Sequence, residues 1–200
     1  MNMSPWNKDR IIGQKRPLQI SHIWGIRIRL ELEGKTRDLA LFNMALDSKL
    51  RGCDLVKLKV SDVAYGSSVS SRATVLQQKT GSPVQFEITK GTREAVAALI
   101  KLGNLRSKDY LFRSRVDTNQ HISTRQYNRI FHGWVAKLGL EDSLYSTHSL
   151  RRTKPYLIYK KTKNLRVIQL LLGHRKLEST VRYLGIEVDD ALEISESIKV

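Results

Sequence analysis

A mostly helical α+β domain with one small antiparallel β-sheet is the fold this sequence predicts, and three observations predict it. Apolar residues recur at helical spacing through several segments, among them 37–50, 92–102 and 124–139. One stretch only, RATVLQQKTGSPVQFEI at 72–88, alternates β-branched and polar residues on either side of a Lys-Thr-Gly-Ser-Pro turn. Two hundred residues with 40% hydrophobic content are enough for a single well-cored domain.

In chain order, residues 1–19 read as a flexible basic arm with Lys8, Arg10, Lys15 and Arg16 between Pro5 and Pro17. Residues 21–32 are too dense in apolar side chains to fix a period. The Glu33-Gly34-Lys35 turn and Thr36 as an N-cap nevertheless favour helix, turn, helix. Leu39, Leu41, Phe42, Ala45 and Leu46 then mark a helix over 37–50, with Arg51 close behind it. Residues 54–63 suggest a second short helix running into a loop. The alternating stretch follows as a β-hairpin with Lys79 near its turn. A helix over 92–102 ends at Gly103, and one capped by Ser123 or Thr124 is closed by Gly139. The last third is helical apart from its turns. Ala191, Ile194 and Ile198 share one face of a C-terminal tail helix.

The net charge is +16 and the pI about 10.1, a balance common among nucleic-acid binders and rare among metabolic enzymes. It is uneven: the tail at 187–200 carries −4, leaving +20 on the rest of the chain. Such a tail should not itself lie against a polyanion. No apolar run approaches membrane-span length and the N-terminus has no signal-peptide core, which predicts a cytoplasmic protein without a membrane partner. The single Cys53 excludes an internal disulfide and a thiolate zinc site. Phosphate-binding loop, dinucleotide fingerprint and paired-histidine metal motifs are lacking, so no cofactor and no metal are expected.

Candidate chemistry is densest at 147–186. His148 and Arg151 are three apart and fall on one helix face, His174 follows Gly173 where a helix would stop, and Tyr183 comes nine residues later. Two guanidinium forks can hold both non-bridging oxygens of a phosphodiester, and Arg51 and Arg151 are the candidates. Each residue also has a plainer reading. Arg51 is one of 35 basic residues, Lys79 a solvated turn lysine, His148 and His174 helix-terminal histidines, and Tyr183 a core tyrosine. Arg152 points elsewhere on a helix, toward DNA backbone or solvent.

In order and spacing, these motifs resemble the catalytic domain of the tyrosine recombinase (phage integrase) family over about residues 20–190. The first arginine box looks like LFNMALDSKLRGCDLVKLKVSDV, with Arg51 and, three residues on, Asp54. QQKTG supplies the hairpin lysine, Lys79. HSLRRT supplies His148 and Arg151, LLGH ends at His174, and STVRYLGI holds Tyr183.

The resemblance implies a catalytic domain at 20–186. Tyr183 would attack a scissile phosphate of double-stranded DNA to give a 3′-phosphotyrosine and a free 5′-hydroxyl. Arg51 and Arg151 would clamp the phosphate, with His174 as a third donor. Lys79 would be the general acid toward the 5′ oxygen, and His148 would assist proton transfer at the tyrosine. Neither ATP nor metal is needed, because the bond energy stays in the covalent intermediate. The resemblance also implies a homo-oligomer, a tetramer on DNA linked through the tail at 187–200, together with accessory DNA-bending proteins and residence on a bacterial mobile element.

Three departures accompany the match. About twenty residues precede the catalytic fold where the family usually has a core-binding domain. Pro155 falls inside an expected helix, which it should kink unless it sits in the first turn. Ser149 stands where an acidic residue is frequent. The rival readings are a non-catalytic DNA-binding or regulatory protein and a DNA-relaxing topoisomerase of the same chemistry.

Overall fold

The computed structural model describes residues 14–66 and 68–185, with Leu192, Ser195 and Glu196 beyond them. Nine α-helices and two small antiparallel sheets lie within these residues. The tail face at Ala191, Ile194 and Ile198 lies outside the described residues.

Helix α1 (Ile20–Leu32) turns through Gly34 (φ 62°) into α2 (Thr36–Ser48). The turn closes one residue earlier than expected: Lys35, not Thr36, is the N-cap of α2. The period of α1 is unreadable in sequence because both its faces are apolar. Ile23, Ile26 and Leu30 face the core, whereas Ile20, Trp24, Ile28 and Leu32 are exposed. Helix α2 is the centre of the domain, buried without interruption from Ala40 to Ser48 and packed against α1, α5, α7 and β4. It ends on Lys49, which is left-handed at φ 55°.

The expected single helix after Arg51 is two, α3 (Gly52–Val56) and α4 (Val60–Val63). An additional short pair, β1 (Ala64–Tyr65) and β2 (Ser68–Val69), follows. The predicted hairpin is β3 (Arg72–Leu76) against β4 (Pro83–Glu87), antiparallel, with Val75 opposite Val84. Helix α5 (Lys90–Leu102) starts two residues before the expected position. Helix α6 (Thr124–Lys137) has Ser123 as its cap, with the Ser123 hydroxyl accepting from the Gln126 amide.

The last third holds α7 (Thr147–Thr162), α8 (Leu165–Leu172) and α9 (Leu177–Leu184). Pro155 is in the middle of α7 rather than its first turn, and the helix continues through it. Pro155 offers no N–H to the Arg151 carbonyl four residues earlier. Ser149 completes a reciprocal cap: its Oγ accepts from the Ser146 amide at 3.1 Å, while Ser146 Oγ accepts from the His148 amide. A hydroxyl therefore does locally what a carboxylate could also do.

The main core runs from α1 to the start of α7. A second, smaller core of Tyr159, Ile168, Leu172 and Leu184 joins α7, α8 and α9, and Tyr183 packs at its edge. Residues 14–19 are held, contrary to their reading as flexible arm. Leu18 is buried and its amide donates to Thr153 Oγ1 at 2.9 Å, and the Arg16 amide donates to the Leu144 carbonyl at 2.9 Å. No helix among the described residues is long and apolar enough to cross a membrane.

Candidate active site

Arg51 caps α3, and its Nη1 donates to Gln77 Oε1 at 2.7 Å. Gln77 closes β3 on its inward face and is 1% exposed. Its amide nitrogen donates in turn to the Leu172 carbonyl at 3.3 Å, and its Oε1 also accepts from Thr80 Oγ1 at 3.0 Å. Asp54, one turn along from Arg51, accepts from the Gln78 amide at 3.0 Å and so fastens α3 to the hairpin.

Arg151 is 4% exposed. Its Nη1 donates to the Lys49 carbonyl at 2.7 Å and its Nη2 to the Leu172 carbonyl at 3.3 Å. The Leu172 carbonyl is free for this because α8 stops there, at Gly173 with φ 65°. Glycine is required on two counts. The left-handed backbone favours it, and a Cβ would come within 2.4 Å of Val84 Cγ2.

The α8 turn presents His174, whose Nδ1 lies 3.1 Å from the hydroxyl of the buried Thr180. With Thr180 donating, His174 keeps its proton on Nε2. Burial, with the charges of Arg151 and Arg51 added, lowers the His174 pKa to about 4, so the ring is neutral near pH 7. Its edge meets the Tyr183 ring at 82° with centroids 5.5 Å apart.

Tyr183 stands between two guanidinium groups. Arg151 Cζ is 5.9 Å and Arg152 Cζ 5.4 Å from its ring centroid. Its hydroxyl is buried, with Arg151 near enough to favour its ionised form, but it makes no well-aligned hydrogen bond among the described residues. Burial raises its pKa to about 12, with Arg151, Arg152 and Arg51 pulling the other way. His148 reaches solvent, yet the protein packed around it and the charges of Arg151, Arg152 and Arg51 hold its pKa below the ordinary value. His148, Arg152, His174 and Tyr183 line one open cleft of about 680 Å³, with Gln14 and Lys15 of the N-terminal segment on its wall.

Five of the six residues singled out in sequence thus fall within one electrostatic neighbourhood: Arg51, His148, Arg151, His174 and Tyr183. Lys79 is apart from them. It stands exposed on the hairpin turn and makes no hydrogen bond or ion pair among the described residues. That turn is anchored by Arg175, which donates to the Thr80 carbonyl at 3.1 Å. Two further participants escape the sequence reading. Helical spacing directs Arg152 to DNA backbone or solvent because it adjoins Arg151, but α9 lays the Tyr183 ring against both arginines. Gln77 carries a readable signal, a polar residue continuing the inward alternation of Ala73 and Val75.

A phenol flanked by guanidinium groups and imidazoles in one cleft has the chemistry to hold a phosphoryl group and offer it an oxygen nucleophile. No group of three or more metal-binding side chains occurs among the described residues. The sequence profile of the phage integrase family matches residues 26–188, and the chain belongs to that family.

It is 32% identical over 158 residues to the probable integrase/recombinase YoeC of Bacillus subtilis, covering 79% of this chain and 82% of that protein. It is 28% identical over 165 residues to tyrosine recombinase XerC of Rhodospirillum centenum, covering 80% of this chain. The match spans 46% of that XerC, so the chain corresponds to about half of this longer relative. Among solved structures it superposes on XerA recombinase with a TM-score of 0.73 at 20% identity, over 92% of this chain and 64% of that one. On XerH bound to its difH substrate the TM-score is 0.70 at 14% identity, over 94% of this chain and 56% of that one. The fold is the tyrosine recombinase catalytic fold, as the motifs led one to expect.

Proposed function

We propose that this chain is a site-specific recombinase that cuts and rejoins double-stranded DNA through Tyr183. One observation carries the reading: the buried Tyr183 hydroxyl, with no well-aligned hydrogen bond among the described residues, sits beside Arg151 and Arg152 in the cleft that His148 and His174 also line. A phosphate seated there would meet the remaining N–H donors of Arg151, those of Arg51, and His174 through Nε2.

In the cleavage step Tyr183 Oη attacks the phosphorus and its proton passes to the neutral His148. The bond to the 5′ oxygen breaks and that oxygen leaves with the electron pair, protonated by Lys79. The phosphodiester is exchanged for a phosphotyrosine, so no energy source is consumed, and attack by a 5′-hydroxyl reverses the step. Charge gathers on the non-bridging oxygens in the five-coordinate transition state, where the arginine forks grip hardest. Lys79 serves from the hairpin turn, whose exposed position leaves its side chain free to reach over a bound strand. Burial pushes the phenol up to about 12, so it is protonated in the free protein near pH 7 and its proton has to be taken up as it attacks.

The remainder of the reading is a homo-oligomer on DNA, a tetramer joined through the tail at 187–200, with accessory DNA-bending proteins. The test is a nicked suicide substrate. The intact protein should form a covalent DNA adduct that disappears in Tyr183→Phe. An adduct that survives that change would refute the assignment. Salt-steep DNA binding with no adduct would favour a non-catalytic DNA-binding protein, and plasmid relaxation without exchange of sites a topoisomerase.

A further inference from the structure

Arg51 and Arg151 come from opposite halves of the chain, and a continuous hydrogen-bond path joins them. It runs from Arg51 Nη1 to Gln77 Oε1 (2.7 Å), from Gln77 Nε2 to the Leu172 carbonyl (3.3 Å), and from that carbonyl to Arg151 Nη2 (3.3 Å). We infer that Gln77 is a positioning residue that couples the two phosphate-clamping arginines, an inference that deepens the function proposed above and rests on it.

Three features set Gln77 apart from a core glutamine that is merely satisfied. It is 1% exposed, and both ends of its amide are committed, acceptor toward Arg51 and donor toward Leu172, so its orientation is fixed by chemistry. The Leu172 carbonyl is the last of α8, where a helix has no donor of its own to offer, and Gln77 and Arg151 share it. Finally, Gln77 lies two residues before Lys79 and its Oε1 accepts from the Thr80 hydroxyl. The same side chain therefore touches the turn that carries the lysine. Arg51 bonds that amide directly, Arg151 shares its carbonyl acceptor, and the turn that carries Lys79 touches it through Thr80, so loss of the amide should misplace the two arginines together.

The neighbouring Gln78 is the control. It lies in the same turn, but its side chain bonds to Lys57 at 3.0 Å and to the Cys53 carbonyl at 3.2 Å, away from both arginines. The experiment is performed on the full chain with two readouts. Guanidinium NMR signals of Arg51 and Arg151, assigned through single Arg→Lys variants, report the coupling without DNA. Single-turnover adduct formation and DNA affinity report its consequence.

Gln77→Met should shift both arginine signals and slow adduct formation about tenfold to a hundredfold, the worth of one hydrogen bond to a charged group. DNA affinity should stay within about twofold, since the arginine–phosphate hydrogen bonds that this change weakens reach full strength only in the transition state. Gln77→Glu keeps an acceptor for Arg51 and removes the donor to Leu172, so it should disturb the Arg151 signal more than that of Arg51. Gln78→Met should do none of this. Movement of one arginine signal only in Gln77→Met, or equal effects from Gln78→Met, would overturn the coupling. Absence of any adduct from the unaltered protein would instead count against the recombinase reading, while the arginine signals still decide the coupling.

Discussion

Lys49 offers a prediction whose sign depends on which partner is removed. Its side chain is 0% exposed, and Nζ meets Glu87 Oε2 at 2.9 Å and Oε1 at 3.0 Å, with the Asp47 carbonyl as a third acceptor. Glu87 is 37% exposed at its side chain and has a second cation, Lys154, at 2.6 Å. Lys154 also reaches Asp47 at 2.7 Å, and Asp47 takes three further hydrogen bonds from Thr89 and Thr92.

Glu87→Gln strands a buried ammonium. Breaking a buried pair costs about 3–5 kcal/mol, and the exposure of Glu87 places this case near 3. Lys49→Met removes the charge and keeps the volume, while Glu87 retains Lys154 and solvent, so a loss of only about 1 kcal/mol is expected. The double variant should resemble Lys49→Met, with a coupling energy of about 2–3 kcal/mol, because no buried ammonium is left to strand. Urea unfolding at pH 7 measures all three. In thermal melts Glu87→Gln should lower Tm by about 6–12 °C at the 2–4 °C per kcal/mol usual for a chain this long. Equal costs for the two single changes, or additive costs in the double, would show that Glu87 is not what makes the buried Lys49 tolerable.

Gly173→Ala should cost about 2–3 kcal/mol, from a left-handed backbone at φ 65° and a Cβ 2.4 Å from Val84 Cγ2, and Val84→Ala in the same chain should recover the steric part. Stability should fall as pH drops from about 6.5 to 4, because the folded state holds the His174 pKa at about 4 and the unfolded chain takes the proton first; His174→Gln should flatten that limb in pH-dependent urea melts. Below this range Asp47 and Glu87 take over: burial would raise their pKa values, but hydrogen bonds and ion pairs led by Lys154 bring them below the ordinary carboxylate range, so stability is lost as they protonate. Arg152→Met should raise the pKa of the Tyr183 phenol and slow adduct formation about tenfold at pH 7, read by alkaline absorbance titration against Tyr183→Phe and by gel assay of the adduct.

What is legible in the sequence is local. His148 and Arg151 are placed by helical spacing, His174 by the glycine before it, and Lys79 by the alternation around its turn, and each of these relations lies within one short stretch of sequence. What is not legible depends on contacts between distant segments. Nothing in the composition around Lys49 distinguishes it from its neighbours, yet its backbone carbonyl holds Arg151 across 102 positions. Gly173 is readable as a helix end, but its close approach to Val84 is not. Arg152 is misplaced by a helical-wheel argument that is correct for one helix alone and fails once α9 lays a ring over two adjacent residues. Basic composition suggests a free arm through residue 19, whereas one buried leucine, Leu18, and one amide bond to Thr153 suffice to hold its end.

The anchoring of Arg151 bears on when the proposed chemistry becomes possible. A guanidinium has five N–H donors. Arg151 commits one on each terminal nitrogen to the carbonyls of Lys49 and Leu172, which leaves the rest for a phosphate while fixing the plane of the fork. Those carbonyls belong to the end of α2 and the end of α8, so the fork is oriented only after both halves of the chain have assembled. The Tyr183 hydroxyl has the opposite standing: it is buried and, although Arg151 lies near enough to favour its ionised form, it makes no well-aligned hydrogen bond among the described residues. A fully unsatisfied buried hydroxyl costs about 1–3 kcal/mol; an incompletely paired one carries part of that cost, which a phosphate oxygen in the cleft would relieve as it arrives. On this account the free protein holds the clamp in its working geometry and leaves the Tyr183 hydroxyl incompletely paired, so that substrate binding would complete the hydrogen bonding of the proposed nucleophile.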